Sequence, residues 1–171
     1  QGTGANPTWA SAGGGKINQV VQAVQPVMAT ISIGDLVTWY DIGLTASITP
    51  SATDSTVLIQ SSICGSLALT MYNLTFQLVR DSTPINLGTA SGSRTVCTWG
   101  TGAQVSGNFD VQNVGHMFLD SPSTTSATAY KVQVRGPRDT GSFQRNRVPS
   151  DADAASHFIG TCTITLMEVL A

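Results

Sequence analysis

A chain of 171 residues with one glutamate, Glu168, and two lysines, Lys16 and Lys131, has little material for solvent-facing helices. Such helices draw on Glu and Lys both as strong helix formers and as partners one turn apart. Here Ser and Thr stand in their places, and Thr favours strands. Charged residues make up 11% of the chain, against the roughly one quarter usual in globular domains. Hydrophobic residues reach 41%, enough for a proper core. The composition therefore predicts an all-β protein.

The apolar pattern agrees. No stretch keeps a helical period over 11 residues or more, whereas alternation at period two recurs along the chain. In "WYDIGLTASITP", Leu44, Ala46 and Ile48 share one face and Thr45, Ser47 and Thr49 the other. "LTFQLVR" aligns Leu74, Phe76 and Leu78; "AYKVQVRG" aligns Tyr130, Val132 and Val134; "GTCTITLMEVL" aligns Cys162, Ile164 and Leu166. "KINQVVQAVQPV" is a further strand, which Pro26 ends or confines to a sheet edge. "TVLIQSSICGSLALT" is another strand region, and one helical turn is expected within Asp151 to His157. "LVRDSTPINLG" places Arg80, Asp81 and Ser82 together, as an active site does. Its Asp-Ser-Thr-Pro, set between strand residues, is better explained as the turn of a hairpin.

Residues 1–15, "QGTGANPTWASAGGG", are rich in Gly, Ala and Ser and are expected to form a flexible linker or arm, with Trp9 as its anchor. Residues 16–171 form the expected head domain. Short strands separated by polar loops, without internal repeats, predict a jelly-roll-like antiparallel β-sandwich.

Several function classes find no support. The net charge is −2 and the arginines are dispersed, so no nucleic-acid footprint exists. No apolar run approaches the length of a membrane helix, and no secretory signal opens the chain. Cys64, Cys97 and Cys162 follow neither a disulfide framework nor a zinc spacing; buried thiols are expected, with a Cys64–Cys97 or Cys64–Cys162 bridge left open. His116 and His157 stand near Asp120 and Asp153 at undistinctive spacings, and no G-x-S-x-G elbow accompanies them. Asp151 and Asp153 read as solvated loop acids rather than paired catalytic carboxylates or a calcium loop. Neither a catalytic residue, a metal nor a cofactor is expected.

Two segments suggest recognition. "RGPRDTGSFQRNRVPSDADAASHF" gathers Arg138, Phe143, Arg145, Arg147 and His157, and binding surfaces favour Arg and aromatics. "CTWGTGAQVSGNFD" carries Trp99 and Phe109 in a Gly-rich loop, where an aromatic stacks on a sugar or packs beneath its own loop.

These runs resemble the C-terminal head domain of tail-fibre-like virion appendage proteins of marine and other tailed bacteriophages. The residues that carry the resemblance are "TGANPTWASAGGGKINQVVQAV" (3–24), "WYDIGLTASITPSATDSTVLIQ" (39–60), "LVRDSTPINLGTASGSR" (78–94), "FLDSPSTTSATAYKVQVR" (118–135) and "ITLMEV" (164–169). Residues 61–72 and 96–117 follow no shared motif.

The resemblance implies a non-enzymatic virion protein, made in the host cytoplasm. Its β-sandwich would assemble as a homotrimer, in the manner of tumour necrosis factor and complement C1q heads, at the end of a fibre. The loops would face a host surface receptor, a glycan in the first instance, and the other partners would be virion proteins of shaft or capsid. Met167, Val169 and Leu170, on a strand apolar on both faces, are the expected trimer interface. A capsid decoration or head-fibre trimer is the nearest alternative, and a polysaccharide-degrading enzyme or a cellular lectin-like trimer stands in another class.

Overall fold

The computed structural model describes residues 16–68, 73–101, 111–136, 141–150 and 152–171. Its strands are β1 (Ile17–Gln25), β2 (Ala29–Ile33), β3 (Tyr40–Ile48), β4 (Thr56–Ala68), β5 (Leu74–Arg80), β6 (Thr83–Ile85), β7 (Trp99–Thr101), β8 (Gln112–Asp120), β9 (Thr128–Arg135), β10 (Gly141–Arg145) and β11 (Cys162–Val169). No helix occurs among the described residues, and residues 152–157 make a turn in which His157 N donates to Ala154 O (2.9 Å).

The strands form two antiparallel sheets, giving an all-β sandwich. One sheet runs β1-β11-β4-β10-β2, with β8 also pairing β4; the other runs β3-β9-β5-β6, with β7 also pairing β5. The alternating residues of the sequence meet between them. Leu44 and Ile48 of β3, Phe76 and Leu78 of β5, Tyr130, Val132 and Val134 of β9, and Ile164 and Leu166 of β11 are all buried. Each such side chain contributes about 1.5–3 kcal/mol on leaving water, which is why the period of two sets the register so firmly.

The hairpin at the end of β5 is architectural. Asp81 takes φ 55° at the first turn position, and its carboxylate accepts from Ala129 N at 2.9 Å. Arg80 pairs with Asp120 (2.9 Å), which also accepts from the Tyr130 hydroxyl at 2.7 Å. This buried network ties β5, β8 and β9 together, and burial with the Asp120 bond drives the Tyr130 pKa far up.

The sole glutamate has a comparable task. Glu168 is 1% exposed and accepts from Ser51 N and Ser51 Oγ, both at 2.6 Å, and from Asn18 Nδ2 at 2.9 Å. These bonds hold the β3–β4 turn against β1 and β11, and they lower its pKa from 4.5 to about 2.

Segment 141–147, expected as an exposed binding loop, begins instead as strand β10 between β2 and the far half of β4. Phe143 is 1% exposed, its ring lying where a Cβ on Gly65 would stand, so the glycine makes room for the aromatic in the core. Arg145 is buried and donates to Val27 O and Ile42 O. Its guanidinium rests on Gly43, whose φ of +72° lies within a bulge of β3. Both residues are thus structural and present nothing to a receptor.

The three cysteines are free thiols, and Cys162, wholly buried, has its pKa pushed up to about 11 by that burial. Its Sγ meets the backbone N of Cys64 (3.3 Å) and Asn146 Oδ1 (3.0 Å) rather than the Cys64 sulfur.

Candidate functional site

Strand pairing fixes which end of the sandwich is which. β1 begins where Ile17 pairs with Val169 and ends where Gln25 pairs with Cys162. Leu170 N donates to Lys16 O at 2.8 Å, so residue 16 and residues 169–170 share one end. At about 3.3 Å per residue, the opposite end of β1 lies roughly 26 Å away. Two surfaces stand out on this frame: one sheet face along its length and one cavity at the far end.

The sheet face is the outward side of β1, β11, β4 and β8. Residues paired across antiparallel strands point the same way, so the register reads out the rows of this face. Val20, Met167, Leu58 and Leu119 form one row; Gln22, Thr165, Gln60 and Met117 the next; Val24, Thr163, Ser62 and Gly115 a third. Ile17, Val169 and Thr56 complete it toward the termini. No charged side chain stands in these rows. Ile17, Val20, Val24, Met117 and Leu119 are each more than half exposed. Outward sheet faces normally mix Lys or Glu with Thr; this one carries Gln, Ser and Thr in its middle rows with exposed Val, Ile, Met and Leu beside them. Met167 and Val169, expected as interface residues, stand in the midst of it, half-buried by their neighbours. Leu170 lies just beyond, after the strand.

At the far end, Val27 and Met28 turn the corner from β1 to β2, and residues 147–150 and 152–159 stand beside them. Between them is a cavity of about 250 Å³. Met28, Val148, Phe158 and Ile159 give it apolar walls, and Arg147, Ser150, Asp153 and His157 give it polar ones. Arg147 is anchored on β2 by Nη2 donating to Thr30 Oγ1 at 2.6 Å, and the His157 Nδ1 meets Ser156 Oγ at 3.2 Å.

Asn146 shapes this end and was not singled out from the sequence. It is fully buried at φ 64°. Its Nδ2 donates to Gln25 O (2.6 Å) and Val27 O (3.1 Å), its backbone N to Cys64 O (2.9 Å), and its O accepts from Gly160 N (2.8 Å). Its side chain thereby fastens the β1–β2 corner, while its backbone ties Cys64 and Gly160 to the same point. The only signal available was an Asn amid "QRNRV", a residue type that tolerates a left-handed backbone.

The expected recognition residues therefore separate. Arg147 and His157 come together at the cavity. Trp99 does not join them: its ring stacks with Phe76 (5.5 Å) and with His116 (4.6 Å) and is taken up in this packing, on strand β7. His116 in turn meets Asn86 at 2.9 Å through Nε2, and burial lowers its pKa. Trp9, Phe109 and Arg138 lie outside the described residues. Among the described residues no group of His, Cys, Asp and Glu is placed to hold a metal ion.

In comparison with known proteins, no family matches the chain and no curated protein is significantly similar to it.

Proposed function

We propose that this chain is a non-enzymatic structural component of a phage virion: a jelly-roll head that assembles as a homotrimer and binds the host cell surface, in the first instance a glycan. The observation that carries the assembly is the uncharged outer face of β1, β11, β4 and β8, with Val20, Met167, Leu58 and Leu119 in one row. Further copies of this chain are the occupants that fit: around a three-fold axis one part of this face meets a different part of the next copy, and with no charged side chain in its rows neither part leaves a charge opposed. Cyclic symmetry about an axis along the strands keeps all chain entries at one end and all far-end cavities at the other. Three shallow sites then act together, and each can bind weakly.

The strand order supports the jelly-roll reading. Labelled in sequence B to I, strands β1, β3, β4, β5, β7, β8, β9 and β11 give sheets B-I-D-G and C-H-E-F, the order of a double Greek key. The virion setting rests on the motifs at 39–60 and 78–94 that resemble fibre heads, and on the Gly-, Ala- and Ser-rich composition of residues 1–15, which suits a link to a shaft. Fibre head is preferred to capsid decoration because the cavity lies at the end remote from Lys16, where a shaft-borne head meets its target.

Light scattering on the purified chain tests the assembly. The expected mass is that of three chains, and Leu119→Asp should reduce it to one by placing a carboxylate in the apolar row. Thr45→Asp, on the exposed outer side of β3 in the other sheet, should leave the trimer intact. A monomeric parent chain would overturn the reading. Immunogold labelling of virions then checks the setting: gold at fibre tips supports it, and gold over the capsid shell contradicts it.

A further inference from the structure

We infer that the far-end cavity is a binding site for one neutral pyranose ring, which gives the host-binding reading above its ligand class and location; the inference rests on that reading. Size limits the ligand first. At about 250 Å³ the cavity falls just below the ~300–1,000 Å³ of sites that enclose drug-sized molecules, so it takes a single ring rather than a chain of them.

Chemistry limits it next. Phe158, about half exposed, offers a flat apolar wall beside Met28 and Ile159, suited to the C–H face of a sugar ring. The same lining holds the Asp153 carboxylate, which accepts from hydroxyls, and the Ser150 hydroxyl, which both donates and accepts. A ligand anion would meet the like charge of Asp153, and a ligand cation would meet the like charge of Arg147 in the same lining. A ring edged with uncharged hydroxyls satisfies both without leaving a charge opposed.

The site is also built before the ligand arrives. Asn146 and Arg145 bond the carbonyls of the β1–β2 corner from within, so Met28 is held in place beside the 147–159 segment. Little ordering cost is then left to binding. The cavity is shallow, so a dissociation constant on the order of 1 mM per site is expected, which suits three copies on one head.

The test is a saturation-transfer NMR titration of the full chain with D-glucose, D-galactose, D-mannose, N-acetyl-D-glucosamine and D-glucuronate, with native mass measured on the same sample. Saturation transfer is expected for at least one neutral sugar. Phe158→Ala and Asp153→Asn, both at exposed positions, should each weaken that binding tenfold or more at unchanged melting temperature and mass. Binding of glucuronate alone, binding indifferent to both substitutions, or no binding of any neutral sugar at tens of millimolar would overturn the inference. The two proposals fail separately. A trimer that binds no sugar refutes the cavity's role and spares the assembly, whereas a sugar-binding monomer refutes the assembly and spares the cavity.

Discussion

Replacing Glu168 by Gln tests whether the chain's only glutamate stabilises the fold as a charge. In the native protein its carboxylate collects three short hydrogen bonds, at 2.6, 2.6 and 2.9 Å, from Ser51 and Asn18. A glutamine of the same shape keeps one acceptor for Ser51 but turns an N–H₂ toward the Asn18 amide, setting donor against donor. A hydrogen bond to a charged group contributes about 1.5–3 kcal/mol net, so losing the charge and one bond should cost about 2 kcal/mol. For a domain of this size that is roughly 4–8 °C in melting temperature at pH 7, measured at fixed protein concentration. The acid limb discriminates further. The folded carboxyl has a pKa of about 2 and the unfolded one 4.5, so unfolding takes up a proton between those values. Its contribution is complete above pH 4.5 and lost as pH falls toward 2. Glutamine has no such proton, so the gap between the proteins should narrow steadily from pH 5 to pH 2. Other carboxylates, such as Asp35, are common to both proteins and cancel in the difference. Equal stability at pH 7, or a gap that stays constant down to pH 2, would refute the reasoning.

Asn146→Ala removes donors to Gln25 O and Val27 O and forces alanine to φ 64°; a loss of about 3 kcal/mol in urea unfolding is expected, with weaker sugar binding in the surviving folded protein. Gly43→Ala should cost about 2 kcal/mol or more, because φ is +72° and the new Cβ would stand 2.5 Å from an Arg145 nitrogen; thermal melts check it. His116 is held neutral by burial against Trp99, so its folded pKa is below 6.5 and the unfolded chain binds the extra proton. Stability should therefore fall as pH drops below 6.5, and His116→Phe, compared by melts at pH 7.5 and 5.5, should flatten that slope.

Much of the sandwich was legible because its buried strands alternate cleanly. Leu44, Ala46 and Ile48, and Tyr130, Val132 and Val134, fell on the core face as their spacing demands. β8 and β10 were not legible, for different reasons. β8 has apolar residues on both sides, with Val114 and Phe118 toward the core and Met117 and Leu119 outward, so it lacks the alternation that marks a half-buried strand. β10 is "GSFQR", whose Gly, Ser and Arg belong in loops by composition. It becomes a strand because Phe143 finds the space left by Gly65 and Arg145 finds two carbonyls, contacts that distant segments supply. The candidate sites divide the same way. Arg147 and His157 were visible as residue types suited to binding. Phe158 and Asp153 were visible as residues but could be joined to Met28 only through the turn that Asn146 fastens.

The uncharged sheet face requires a stricter argument, because a chain with 11% charged residues will leave some surfaces uncharged by composition alone. Absence of charge therefore says little without placement. The polar residues that replace Lys and Glu here do appear on outward faces elsewhere: Thr45 and Ser47 alternate with the core residues of β3, and both are exposed. The outward positions of β1 and β8 instead receive Val20, Val24, Met117 and Leu119. Serine and threonine were available to this chain in abundance, and folding alone gives no reason to spend apolar side chains on the wet side of a sheet. Burial against another surface does give one. That contrast between β3 and β8, within one composition, is why the proposed assembly is tested by a charge at Leu119 set against a charge at Thr45.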